Sequence, residues 1–191
     1  MSLYLLAILV GIIAGYLRRG RLHHLVELRL RYSWLILVSL VIQLLIFPLF
    51  SGAPLLPYGT VPLHLVSYAI LVVWLGMNLR VLPIGVLLLG AACNLAAVAA
   101  NGGYMPASAA ALQRSGLVHA AEWLLEGHPV ANVVLMTSST RLNVLGDWLY
   151  APGWIPFSTA FSIGDVLIVV GIVWLIVRGM VANGREAERA A

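Results

Sequence analysis

The fold of this chain is decided by one stretch, residues 82–100, which reads LPIGVLLLGAACNLAAVAA. It contains no charged side chain, and its only strongly polar residue is Asn94. The hydrocarbon core of a bilayer is about 30 Å thick and asks for roughly 20 apolar residues in a helix. The stretch therefore predicts a membrane-spanning helix.

The rest of the chain has the composition of a protein surrounded by lipid. Of its 191 residues, 62% are hydrophobic and only 9% are charged, and the mean hydropathy is +1.00. Soluble domains carry about 25% charged residues. The net charge of +4 comes from arginine, since the chain has no lysine. These arginines adjoin apolar segments and do not alternate with aromatic residues, so nucleic acid is not a predicted partner.

Four further apolar segments flank residues 82–100. The predicted spans are residues 3–17, 32–50, 63–79, 82–100 and 161–177. Lipid offers no hydrogen-bond partners to the backbone, so each span is expected to be an α-helix. We predict an all-α integral membrane bundle of about five spans. An alternative with four spans, in which the first segment lies flat on the membrane, stays open.

The remaining segments complete a single membrane domain over residues 1–191. Residues 101–160 are too polar to span easily and predict an outer cap of short helices and loops, while residues 179–191 predict a cytoplasmic tail. Within the bundle, Gly11 and Gly15 form a G-x-x-x-G pair, and the segment 82–100 is rich in alanine. Small residues let helix backbones approach closely in lipid, so this alanine-rich helix is expected at the bundle centre.

Arginine predicts the orientation of the bundle. Five arginines lie between Arg18 and Arg31, Arg80 lies between the third and fourth spans, and Arg178 follows the fifth. With five spans, all of them fall on one side, which the positive-inside rule makes cytoplasmic. The predicted location is a cell membrane, the bacterial inner membrane, with the N-terminus outside and the C-terminus inside.

The predicted cap holds most of the candidate binding residues. These are Asn101, His119, Glu122, Arg141 and Asn143. If the segment around His119 is helical, then His119, Glu122 and Glu126 share one face, because each residue turns a helix by about 100°. Histidine and carboxylates can bind metal. Without further spaced ligands the pattern favours an amphipathic helix at the membrane surface, and no metal site is predicted.

The two aspartates, Asp147 and Asp165, are the candidate catalytic residues. A turn-rich segment joins them, and Asp165 lies just inside the last span, where a carboxylate is costly. Two neighbouring carboxylates would share a proton and supply one acid and one base. The structural alternative is a capping box between Ser162 and Asp165, with Asp147 paired to Arg141. Both interpretations stay open at this point.

Three motifs resemble an uncharacterised bacterial family of multi-pass membrane proteins. They are NGGYMP at residues 101–106, NVLGDW at 143–148 and FSIGDVLI at 161–168. The resemblance covers most of the chain. It implies the fold and the membrane location and carries no activity.

A partial resemblance to the lipoprotein signal peptidases covers about a fifth of the chain. That family carries an intramembrane aspartic dyad on an Asn-x-x-Asp-Arg motif and a Phe-Asn-x-Ala-Asp motif. In this chain one extra residue separates Asn143 from Asp147, Trp148 stands in the arginine position, and Ser162 replaces the second asparagine. The resemblance implies that Asp147 and Asp165 form a catalytic pair.

Three functions follow as hypotheses. The first is a non-enzymatic accessory protein that binds membrane lipid or another partner at the outer face. The second is an intramembrane aspartic hydrolase that uses Asp147 and Asp165. The third is a small transporter, which the absence of charge within the second to fourth spans disfavours. No cofactor is predicted, and the sequence does not indicate an oligomeric state.

Overall fold

The computed structural model of the protein describes residues 2–28, 30–46, 59–155 and 158–190. Seven α-helices lie in this part of the chain: α1 (Ser2–Leu17), α2 (Trp34–Ile46), α3 (Thr60–Met77), α4 (Leu82–Ala100), α5 (Ala109–Arg114), α6 (Val118–Leu125) and α7 (Ile163–Ala190). Four short strands accompany them: β1 (Met105–Ala107), β2 (Val133–Leu135), β3 (Leu149–Tyr150) and β4 (Ala160–Phe161). The described fold is therefore mostly helical.

Three of the helices are long and apolar enough to cross a membrane. They cover Thr60–Met77, Leu82–Ala100 and Ile163–Val181. Two shorter apolar helices, Leu3–Leu17 and Trp34–Ile46, correspond to the first and second predicted spans. The predicted end of the second span, residues 47–50, lies outside the described residues.

The last helix differs from its prediction because it continues past the predicted span. The fifth predicted span ends at residue 177, with a solvated tail beyond it, whereas α7 continues as far as Ala190. Residues 178–190 contain no proline, so the helical hydrogen bonds of the backbone continue through them.

The five apolar helices pack side by side in the order α2, α3, α4, α7, α1. Helix α4 is the middle member, and 44% of its apolar window is buried, against 22% for α3 and for α7. Its buried face includes Ala91 and Ala97, whereas Ala96 is exposed. The expected central position of α4 agrees with this packing, although only part of the alanine content faces other helices.

Glycine allows two of the helix contacts to be close. A Cβ atom added to Gly90 of α4 would lie 2.5 Å from the carbonyl oxygen of Gly164 at the start of α7. A Cβ atom added to Gly11 of α1 would lie 3.0 Å from the Cβ atom of Ile176. Small residues thus bring both α4 and α1 against α7, as the packing of apolar helices requires.

The cap covers the end of the bundle where α4 ends and α7 begins. Strands β1 and β2 pair in parallel, and β3 and β4 pair antiparallel. A small apolar core holds the cap together and consists of Ala107, Ala111, Leu112, Ala121, Leu124 and Ala160. The prediction of a purely α-helical fold is therefore wrong in the cap, where strands of two or three residues are too short to show alternation in the sequence.

The opposite end of the bundle gathers the loops that carry arginine. A 3-10 helix, Leu22–Glu27, follows α1 and contacts α7, and the backbone amide of Arg21 donates to the carbonyl of Met180 at 3.0 Å. The amide of Arg31 donates to Asn78 Oδ1 at 2.7 Å. The connections before α2 and between α3 and α4 thus meet at one end, away from the cap.

Candidate functional site

The candidate site begins at the first turn of α7. The backbone amide of Asp165 donates to Ser162 Oγ, and the backbone amide of Ser162 donates to Asp165 Oδ2, both at 2.9 Å. This reciprocal pair satisfies two amides that the helix start would otherwise leave without partners. The structural alternative for Asp165, a capping box, is therefore present.

The second carboxylate oxygen of Asp165 faces two other helices. Its Oδ1 accepts hydrogen bonds from the Tyr4 hydroxyl of α1 at 2.5 Å and from Asn94 Nδ2 of α4 at 2.8 Å. The Asn94 amide oxygen in turn accepts from Ser162 Oγ at 2.8 Å. A side chain at Gly164 would overlap this amide, so the glycine is required for the contact. Asp165 thus joins three helices at one point.

Asp147 reaches the same region from the cap, where its backbone is fixed on both sides. Its amide donates to the carbonyl of Pro106 at 2.8 Å, and its carbonyl accepts from the amide of Ser108 at 2.9 Å. The close approach depends on Gly146, because a Cβ atom there would lie 2.5 Å from the Pro106 carbonyl oxygen. Strand β1 therefore sets the position of Asp147.

The carboxyl group of Asp147 is held without a compensating charge. Its Oδ1 is buried and has no hydrogen-bond partner among the described residues. Burial, reinforced by the negative charge of Asp165, raises the pKa of Asp147 to about 8. The described residues show no ion pair between Asp147 and Arg141, whose side chain is exposed. The predicted ion pair between Asp147 and Arg141 is therefore wrong, because the arginine is exposed to solvent.

Both aspartates line one cavity of about 270 Å³ at the junction of cap and bundle. Its polar lining residues are Tyr4, Tyr68, Asn94, Asn132, Asp147, Thr159 and Asp165. Tyr4, Asp147 and Asp165 are only partly buried, so the cavity is not sealed. Its lining, as far as the described ranges show it, includes no arginine, lysine or histidine. Acidic and hydrogen-bonding groups thus surround a space of small-molecule size.

The five predicted binding residues lie away from this cavity. Asn101 directly follows α4, and its side-chain amide forms two hydrogen bonds of 2.8 Å with the backbone of Arg141. Asn143 accepts from Thr140 Oγ1 at 2.6 Å and donates to the carbonyl of Thr137 at 2.8 Å. These contacts shape the loop that leads to Asp147, and they leave the two asparagine side chains engaged in structural bonds.

His119 and Glu122 form an exposed pair on α6. His119 Nδ1 lies 3.3 Å from Glu122 Oε2, and the two side chains are 97% and 55% exposed. The opposite face of α6, with Ala121 and Leu124, packs on the apolar core of the cap. Within the described residues, no group of three histidine, cysteine, aspartate or glutamate side chains could hold a metal ion.

Sequence reasoning missed four polar residues of the cavity, namely Tyr4, Tyr68, Asn132 and Thr159. Tyr4 and Tyr68 lie in apolar segments, and the sequence of such a segment does not show whether a tyrosine lines a cavity or faces lipid. Asn94 gave a usable signal, because a buried amide within an apolar span needs partners.

A second polar cluster adjoins the cavity between α2 and α3. Gln43 Nε2 lies 3.2 Å from His64 Nδ1 and donates to Ser67 Oγ at 2.5 Å. Asn132 Nδ2 lies 3.2 Å from His64 Nε2, and the rings of His64 and Tyr68 make an edge contact with centroids 5.1 Å apart. Asn132 and Tyr68 therefore belong to both the cluster and the cavity.

The fold and the site define the class of this protein: a bundle of apolar helices with a capped acidic cavity at one end. Residues 27–177 match the Family of unknown function (DUF5317), and the chain belongs to that family. The resemblance to an uncharacterised family predicted from the three motifs is thereby confirmed. The matched range contains both aspartates and begins after α1, so Tyr4 lies outside it. No curated protein and no solved structure matches the chain.

Proposed function

We propose that all five apolar helices cross a membrane and that the cap lies on its outer face. Helix α1 presents a stripe of exposed apolar side chains, including Leu5, Leu9 and Ile13, which are 63%, 55% and 50% exposed. Such a stripe suits lipid, because water would penalise each of these side chains. The arginine-bearing loops gather at the end opposite the cap, and the positive-inside rule assigns that end to the cytoplasm.

Cysteine labelling in intact cells tests this orientation. In a Cys93→Ala background, Ser138→Cys in the cap should react with a membrane-impermeant maleimide. Val26→Cys, which is 88% exposed at the other end, should react only after lysis. Labelling of Val26→Cys in intact cells would reverse the orientation. Equal labelling of both positions would contradict the five-span arrangement.

We infer that the protein is a ligand-binding protein of the membrane and that its binding site is the acidic cavity. The observation that carries this inference is the Asp147 carboxyl, with a buried oxygen that has no partner, in a cavity that Asp165 also lines. An unsatisfied buried polar group costs about 1–3 kcal/mol. A ligand that satisfies it would gain affinity, and the partly exposed rim allows entry.

Ligand retention tests this role. The wild-type chain and an Asp147→Asn variant would be purified in the same mild detergent, analysed by native mass spectrometry, and screened for thermal stabilisation by small polar compounds. Glu122→Gln is the matched control, because Glu122 is acidic, exposed and distant from the lining. We expect wild type and control to share a bound or stabilising ligand that Asp147→Asn lacks. Identical behaviour of all three proteins would refute the proposal.

The second candidate function is that of an aspartic hydrolase. One observation favours it: the pKa of Asp147 is raised to about 8 beside a second carboxyl, which leaves one acid protonated at neutral pH. Aspartic proteases use two such groups. However, Asp165 already accepts hydrogen bonds from Tyr4, Asn94 and the Ser162 amide. A hydrolase requires both carboxyls, so Asp147→Asn and Asp165→Asn should each abolish cleavage of a membrane-protein substrate.

A further inference from the structure

The two carboxyl groups of the acidic cavity differ in the hydrogen-bond donors they receive. Tyr4 and Asn94 already direct their donors at Asp165 Oδ1, while Asp147 Oδ1 has no donor at all. Two carboxyl groups line the space, and none of its lining residues in the described part of the chain is cationic. A ligand that pairs with Asp147 as an ionised carboxylate must therefore bring hydrogen-bond donors, and a positive charge would compensate the carboxylates.

Aromatic rings form part of the same lining. Tyr4, Tyr68 and Phe161 all border the cavity, each from a different element of the fold. The face of an aromatic ring attracts a cation, and the attraction is stronger when the pair is removed from water. Carboxylates combined with aromatic rings are a cation-binding environment, and this observation is independent of the unpaired oxygen of Asp147.

Charge and geometry distinguish among the cations. Ca²⁺ takes about six to eight oxygen ligands, whereas the cavity supplies two carboxyl groups, and within the described residues no group of three histidine, cysteine, aspartate or glutamate side chains could hold a metal ion. A quaternary ammonium has no N–H to give to Asp147 Oδ1. A primary ammonium has three N–H donors and no acceptor, whereas the ionised carboxylates of the cavity have acceptors and no donor.

We propose that the acidic cavity binds a primary ammonium group, which pairs with Asp147 and packs against the surrounding aromatic rings. This inference rests on the proposed ligand-binding function and specifies its ligand class. A cavity of about 270 Å³ lies just below the roughly 300–1,000 Å³ of drug-sized sites, so the bound part is small. A soluble amine and the headgroup of an aminophospholipid such as phosphatidylethanolamine share this chemistry.

Proton release accompanies binding in this scheme. Asp147, whose pKa is about 8 without ligand, must lose its proton to pair as a carboxylate with the ammonium. The titratable groups that share the cavity are Asp165 from α7, Tyr4 from α1 and Tyr68 from α3, with His64 behind Asn132. Asp147 faces the three groups that line the cavity and is the one whose proton the ammonium displaces. The affinity should therefore rise about tenfold from pH 6 to pH 7.

Matched ligands test the proposal on the full chain in detergent at pH 8, in an amine-free buffer. Ethanolamine should raise the melting temperature of the wild type, whereas ethylene glycol, its hydroxyl analogue, and choline should not. Asp147→Asn should lose the response to ethanolamine, and Glu122→Gln should keep it. Nanodiscs of phosphatidylglycerol with and without phosphatidylethanolamine form the lipid arm. Stabilisation only by the lipid identifies the headgroup as the source, and stabilisation by ethanolamine identifies a soluble amine.

Three results would overturn the ammonium assignment. The first is equal stabilisation by Mg²⁺ or K⁺, which would mean an inorganic cation. The second is no response to either amine source while another polar ligand still binds in a way that requires Asp147, in which case the proposed function stands and the ligand class is wrong. The third is the absence of any ligand that depends on Asp147, in which case both proposals fail.

Discussion

Replacing Asp147 by asparagine should remove a pH dependence from the stability of the protein. Asparagine has nearly the same shape and cannot ionise, so it mimics the protonated carboxyl. In the folded protein the pKa of Asp147 is raised from 3.8 to about 8. Between pH 5 and pH 7 the folded state therefore keeps a proton that the unfolded chain has lost, and the stability of the wild type falls as the pH rises.

The size of the effect follows from the number of protons. One proton difference changes the free energy of unfolding by about 1.4 kcal/mol per pH unit, so two units amount to at most about 2.7 kcal/mol. For a chain of this length, 1 kcal/mol corresponds to roughly 2–4 °C, which gives a relative shift of up to about 5–10 °C. The asparagine variant should be the more stable one throughout this range, and its advantage should grow from pH 5 to pH 7.

Thermal unfolding in one detergent at pH 5, 6 and 7 measures this shift. The difference between wild type and Asp147→Asn cancels every other titrating group, including the histidines. Glu122→Gln, at an exposed site, should run parallel to the wild type. Parallel curves for Asp147→Asn as well would show that Asp147 is not held protonated, and the reasoning about its burial would be refuted.

Two further predictions concern packing and capping. Gly90→Ala should lower the melting temperature, because overpacking costs about 1–3 kcal/mol. The control Gly76→Ala should be neutral or stabilising, because nothing lies within 4 Å of the added Cβ atom. Equal melting temperatures of the two variants would contradict the close contact between α4 and α7. Asp165→Ala should cost about 1.5–5 kcal/mol, since loss of the helix cap at about 0.5–2 kcal/mol adds to donors left unsatisfied at about 1–3 kcal/mol, and Asp165→Asn should cost less. A fully tolerated alanine in the same melting assay would contradict the hydrogen bonds assigned to Asp165.

The apolar helices were predictable because their signal is local. The prediction for α4, residues 82–100, matches the observed helix from Leu82 to Ala100, since continuous apolarity over the length of a span is readable from sequence. The capping box at Asp165 was predictable for the same reason, because Ser162 and Asp165 are three residues apart. Local spacing and local composition carried both predictions.

The cavity was not predictable in full because it depends on contacts between distant segments. Tyr4 and Asp165 are separated by 161 residues and meet only because α1 packs along α7. The expected pairing of Asp147 with Arg141 failed for a related reason. Asn101, 40 residues away, fixes the backbone of Arg141, and nearness in sequence did not determine where the side chain points.

The structural and functional interpretations of Asp165 are compatible, because they use different oxygen atoms. Oδ2 accepts the Ser162 amide and caps α7, whereas Oδ1 accepts from Tyr4 and Asn94, which line the cavity. The hydrogen bond that caps α7 fixes the carboxylate of Asp165, so the orientation of Oδ1 does not depend on a ligand. Asp147 is fixed instead by its backbone, and its Oδ1 has no partner. One carboxyl is thus saturated and rigid while the other is unsatisfied, an asymmetry that suits a site in which Asp165 supports the cavity and Asp147 receives the ligand.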